Sequence, residues 1–141
     1  MNDHGLLASF FLCKIGVALA ALVFLGMALS MHASLGRLAE QEDLTQLADA
    51  IADTIGAADS LPGEAELQRN LPAVLQQFEV VVTGERSIGV QVVRVHVIAE
   101  DEVERVFMLT NQVNGGYFTL TAENPREIHL RKTDAIQLEL I

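Results

Sequence analysis

The sequence predicts an α+β protein. An N-terminal transmembrane helix continues into an amphipathic helix, and that helix packs on a C-terminal antiparallel β-sheet or small sandwich. Three observations predict this. Apolar residues crowd the front of the chain with no polar face left over. An acidic stretch follows in which apolar residues recur with the helical period. From Phe78 the period changes to two, with turn residues between short runs.

The 141 residues suffice for one domain and an attachment segment, and fall short of two ordinary domains. Mean hydropathy is +0.32 although Trp is absent and aromatics are only 5%. A concentrated apolar block accounts for that better than an oversized core. The charge is uneven. Residues 1–33 are neutral, residues 34–66 carry one basic and eight acidic side chains, and residues 67–141 carry seven basic and ten acidic. The chain therefore divides into a tail with a transmembrane helix (1–33), an acidic amphipathic helix (34–62) and an antiparallel β domain (63–141). A net charge of −10 leaves no excess to neutralise phosphates, which argues against a nucleic-acid partner. One cysteine excludes an internal disulfide framework and, with four histidines, a zinc-finger pattern.

The first element is the apolar block. Ile15 to Met31 holds no charged residue, and Ser30 is its only polar side chain. Adding Leu6 to Cys13 gives about 26 mostly apolar positions, against the roughly 20 that a spanning helix needs. A soluble helix would keep a polar stripe, and none is present. The lipid bilayer is thus the first expected partner. Lys14 has two readings. The span begins just after it, with the ammonium reaching the membrane interface. Alternatively the helix starts near Leu6 and Lys14 is paired within an assembly. A cleaved signal peptide, cut near Ala28-Leu29-Ser30, is the rival to a retained anchor. Against cleavage, the n-region would be long and contain Asp3, and helical patterning continues past Ser30. Lys14 at the short N-terminal end places the N-terminus inside and the acidic remainder outside. Gly16, Ala20, Ala21, Gly26 and Ala28 are small enough for close helix–helix approach in lipid.

The second element is acidic. Leu35, Leu38, Leu44, Leu47, Ala48, Ile51, Ile55 and Ala58 fall at three- and four-residue spacing, and Glu40, Glu42, Asp43, Asp49 and Asp53 occupy the other faces. Gly36 marks a bend, and Asp43 would cap a fresh helix if the chain breaks near 41–43. Ser60, Pro62 and Gly63 are stop signals.

The remainder reads as about six short strands. Phe78, Val80 and Val82 alternate with Glu79, Val81 and Thr83, and Gly84 ends that run. Val93–Val97, a long Val103–Val113, Tyr117–Thr121, Ile128–Leu130 and Ile136–Leu140 follow. Asn114-Gly115 is a hairpin signal, because a type I′ turn needs positive φ at both central residues. Asn124-Pro125 breaks the pattern before the last two runs.

Chemistry-bearing residues form no recognised site. His4, His32, His96 and His129 are scattered, the last two at outward strand positions. Cys13 precedes the apolar stretch, whereas a lipoprotein cysteine follows it. The carboxylates of Glu100–Glu104 read as a solvated turn. No nucleophile elbow, phosphate loop or zinc-protease motif occurs. The expectation is therefore no enzyme, no cofactor and no metal site.

The order of a short tail, a membrane helix running into an amphipathic helix, and an antiparallel β domain resembles type IV pilin-like proteins, especially small archaeal surface proteins with a class III signal. The resemblance covers the whole layout. His4-Gly5 followed by Leu6-Leu7-Ala8 matches the processing junction, and Leu71-Pro72 leading to Phe78-Glu79-Val80 matches the start of the β domain. The resemblance implies peptidase cleavage between Gly5 and Leu6 on the cytoplasmic side, a retained helix packed against other pilin-like subunits, and a cell-surface, extracellular C-terminal domain. His4, preceded by Asp3, stands where the family usually has Lys or Arg, and Phe10 where many pilins have Glu. These departures favour a minor or pseudopilin-like subunit over a major one. The alternatives are a single-pass accessory subunit of a secretion or envelope complex, and a tethered ligand- or cation-binding module.

Overall fold

The computed structural model describes residues 3–141, with side chains from Phe11 onward. The element order is one helix, α1 (Asp3–Ser60), and seven strands: β1 (Ala65–Asn70), β2 (Glu79–Ser87), β3 (Val90–Ile98), β4 (Glu102–Leu109), β5 (Phe118–Glu123), β6 (Glu127–Lys132) and β7 (Ile136–Leu140). Two compact units divide between Leu38 and Ala39, inside α1.

In the first unit every residue from Phe11 to Leu38 is exposed. Leu, Val, Ile, Phe and Met side chains there stand more than half in solvent, from Ile15 at 55% to Phe24 at 72%. Helical backbone satisfies its own polar groups, so the apolar surface lies entirely on the outside.

In the second unit, α1 buries Leu44, Leu47, Ala48, Ile51, Ile55 and Ala58 at 1% exposure or less. Their three- and four-residue spacing lines one face, as the sequence stripe predicts. The stripe starts at Leu44, however. Leu35 and Leu38 are 61% and 62% exposed and belong to the apolar first unit. The expected break near 41–43 is absent too, since α1 is continuous through Gly36 and Asp43. No proline interrupts this stretch, and its Ala, Leu, Glu and Gln content favours helix over a cap at Asp43. The stop signals hold. Leu61 N–H donates to the Ala57 carbonyl as a last turn, and Gly63 takes a φ of +74°.

Two antiparallel sheets complete the core, with strand orders β1-β6-β7 and β4-β3-β2-β5. Their inward rows include Val80 and Val82 on β2, Val93, Val95 and Val97 on β3, and Ile128 and Leu130 on β6, all buried with the α1 stripe in one apolar cluster. The α+β architecture is as the sequence predicts, a helix packed on antiparallel strands.

The strand details differ in four places. β1 is a seventh strand. Its AELQRN sequence offers only Ala65 and Leu67 to the core, too few for period two to register, and pairing with β6 from Ala65↔Lys132 to Asn70↔Glu127 imposes the extended form. β2 does not end at Gly84 but runs to Ser87, with Gly84 lying opposite both Val93 and Phe118. β4 stops at Leu109, and Val113 instead makes an isolated parallel bridge to Ile136. The Asn114-Gly115 turn forms, with φ of 46° and 80° and a Gly116 N–H to Val113 carbonyl bond. It joins no hairpin, though. β4 and β5 lie at opposite edges of their sheet, so this turn belongs to a crossover connection.

Candidate functional site: the apolar helix and the polar clamps of the folded unit

Function can reside in the exposed apolar helix or in the folded unit. The helix comes first. Lys14 and Arg37 bracket a stretch, Ile15–Gly36, that has no charged residue. At about 1.5 Å per residue it is roughly 33 Å long, close to the hydrocarbon thickness of a bilayer. This helix is long and apolar enough to cross a membrane, and none of its apolar window is buried. Gly16 and Gly26 have open space around the position a Cβ would take, and Ala20, Ala21 and Ala28 are exposed. The small residues therefore sit on accessible helix surface. Cys13 is also exposed. The Gly5–Leu6 junction lies outside the residues whose side chains are described.

The folded unit holds three polar clusters. At the end of α1, Lys132 of β6 is 8% exposed. Its Nζ donates to the carbonyls of Ala58, Asp59 and Leu61 at 3.1, 2.9 and 2.6 Å. Those are orphan acceptors of a helix C-terminus, where a cation is also favoured by the helix dipole. No basic residue occurs in the last turn of α1 itself, so a strand supplies the cation. Beside it, the Asp59 carboxylate accepts the backbone N–H groups of Thr110 and Asn111 at 3.0 and 2.8 Å and the Asn111 amide at 2.8 Å. Burial pushes the Asp59 carboxyl up, but the Thr110, Asn111 and Lys132 interactions outweigh it and hold the group below its ordinary value of 3.8.

The second cluster is Gln91, 1% exposed on β3. Its amide donates to the carbonyls of Val113 and Gly116 at 3.1 and 2.9 Å, and its oxygen accepts the Val113 N–H at 2.6 Å. One side chain thus fixes the crossover turn. Asn114 continues the work toward β7, exchanging side-chain bonds with Leu138 backbone. These groups have structural partners in the backbone around the turn.

The third cluster joins α1 to β4. Arg105 pairs with Asp49, and this bond raises the guanidinium pKa. The histidines are dispersed as the sequence indicates. His96 contacts Glu102 at 3.2 Å and His129 contacts Glu127 at 3.1 Å, each ring about one third exposed. Glu127 is held below its ordinary value by His129 and by Gln68. Glu104 pairs with Arg94 on the outer face. Among the described residues no group of three or more His, Cys, Asp and Glu is placed to hold a metal.

Open depressions also mark the surface of the folded unit, two of them wider than the rest described. One, of about 600 Å³, lies at the β2 start around Gln77, Glu79, Glu100 and Asn124. The other, of about 490 Å³, runs between the α1 face Asp49–Asp59 and β4.

Sequence reasoning singled out neither Lys132, Gln91 nor Asn111. The signal for Lys132 was present, since it continues the inward row of Ile128 and Leu130. Gln91 likewise shares a face with Val93 and Val95. No family model, curated protein or solved structure matches this chain.

Proposed function

We propose that the protein is a single-pass, membrane-anchored structural subunit of the cell surface, of the pilin-like type and minor rather than major. The N-terminus lies inside, the folded unit is exported, and the chain has no catalytic activity. The observation that carries this reading is Ile15–Gly36, uncharged, apolar on every face and wholly exposed. Such a surface needs lipid or the helices of other subunits around it. The polar groups of the folded unit support a structural role, because the buried ones serve its own backbone.

The test is extraction of native membranes with alkaline carbonate, followed by mass spectrometry of the intact polypeptide. The protein is expected in the pellet, with a mature N-terminus at Leu6. Release as a free monomer, or an N-terminus near Met31, defeats the anchored reading. Retention with Met1 intact, and with surface filaments unchanged when the gene is deleted, replaces the pilin-like role with that of an envelope accessory.

A further inference from the structure

We propose that Asn114 is a modification site gated by its own turn. Closed, the turn keeps the Asn114 carboxamide away from the Gly115 nitrogen. Opened, it lets the two cyclise and convert Asn114 to aspartate or isoaspartate, and the product keeps the turn from closing again. A following glycine hinders this cyclisation least, because no Cβ stands beside the attacking nitrogen. Asn114 is the one asparagine in the chain that precedes a glycine. Asn124 precedes proline, which has no N–H to give up.

The conversion needs only water. The Gly115 N–H gives its proton to solvent base, its nitrogen bonds to Asn114 Cγ, and ammonia leaves. Water then opens the cyclic imide. Cleavage at Cγ gives aspartate. Cleavage at the Asn114 main-chain carbonyl gives isoaspartate, with an extra backbone carbon.

The attacking group is accessible, since Gly115 is exposed and its N–H has no acceptor among the described residues. The gate is therefore torsional. The φ values of 46° and 80° and the Gly116 N–H to Val113 carbonyl bond define a type I′ turn. In such a turn ψ of the first central residue is about +30°. That angle sets the Gly115 nitrogen across the Cα–C bond from Asn114 Cβ, so the ring cannot close until ψ rotates and the turn comes apart. Three sets of bonds resist that rotation. Asn114 Oδ1 accepts the Leu138 N–H at 2.9 Å, and Nδ2 donates to the Leu138 carbonyl at 3.4 Å. Asn114 N–H donates to the Ile136 carbonyl at 2.8 Å. Gln91 holds Val113 and Gly116 on either side.

Conversion removes the Nδ2 donor and sets a carboxylate against the Leu138 carbonyl. Isoaspartate also lengthens the chain between Val113 and Gly116, whose carbonyls Gln91 must reach together. A brief opening of the crossover between β4 and β5 thus becomes a permanent one. The inference goes beyond the anchored reading and does not depend on it.

The test follows the full chain in detergent micelles at mildly alkaline pH, by peptide mapping with mass spectrometry. Conversion of Asn114 should be slower by about tenfold or more than in concentrated urea, because the rate scales with the fraction of open turn. Gln91→Leu, which removes the clamp at similar size, should speed it. In the natural chain at low urea, the rate should rise in step with hydrogen exchange at the Gly116 amide, a measurement that stands even if the variant misfolds. The converted chain should exchange faster at the Gly116 and Leu138 amides. Equal rates in the folded and unfolded chain overturn the proposal, as does conversion at Asn70 or Asn111 in place of Asn114. A folded Gln91→Leu chain that converts no faster, a rate that ignores Gly116 exchange, or a product as protected as the natural turn overturns it too.

Discussion

Asp59 and Lys132 show how single residues hold the end of a helix whose own last turn carries no basic residue. Lys132 brings a charge into a nearly dry site and donates to the carbonyls of Ala58 and Asp59 in α1 and of Leu61 just beyond it. Asp59, one residue from the end of α1, reaches outward to the backbone after β4. Its carboxyl is held below 3.8 by donors that outweigh its burial. A depressed carboxylate contributes stability that is complete above the unfolded value and is lost as pH falls through the folded one. Asp59→Asn should therefore lower the urea midpoint at pH 6. The gap from the natural protein should close as pH drops below about 3.8, where the unfolded carboxyl titrates. Urea titrations of both chains between pH 2 and pH 7 check this, and a gap that widens in acid contradicts it. By sequence Asp59 is only one of the eight acidic side chains of residues 34–66. Nothing local distinguishes it, because its partners lie 51 and 52 residues away.

At the scale of elements, legibility follows how much of an element's pattern is its own. The α1 stripe from Leu44 to Ala58 was readable because each buried position repeats on the helical period. β3 and β6 were readable for the same reason at period two. β1 was not, since it borrows its form from β6. Gly84 is the instructive case. A glycine after the alternating Phe78, Val80 and Val82 reads as a stop, yet it lies in the interior of β2 between two pairing partners. A Cβ there would collide with the Phe118 ring and the Gln91 amide. Glycine inside a strand often marks such a close approach. Gly84→Ala should destabilise by about 1–3 kcal/mol, the usual range for overpacking. It should also disturb the Gln91 bonds to the Val113–Gly116 turn. Trimming the ring in Gly84→Ala/Phe118→Leu should cost less than the two single changes together, because the collision is shared. Thermal melts of the four chains measure the coupling, and strict additivity would mean that the ring is not what Gly84 accommodates.

For the molecule as a whole, the question is where the folded core ends and the exposed apolar helix begins. The sequence divided the chain at residue 33 by charge and hydropathy and at residue 62 by helix stop signals. The compact division falls at Leu38–Ala39, and the acidic helix lies with the strands as part of one core. Charge marked where the surroundings change, whereas the core depends on which apolar residues find partners. Among the described residues, every buried hydrophobic one lies between Leu44 and Leu138. Residues 39–141 should accordingly fold alone in water into a monomeric, cooperatively melting α+β domain. Without residues 1–38 its 18 acidic and seven basic residues keep it soluble. A chain starting at residue 61 should not fold, because it lacks the six-residue α1 stripe and exposes the sheet faces that stripe covers. Far-UV circular dichroism and thermal melts of the two fragments decide the matter. A cooperative melt in the shorter one would show that the strands suffice without the helix. Aggregation or an unfolded spectrum in the longer one would show that the apolar segment contributes to folding as well as to attachment.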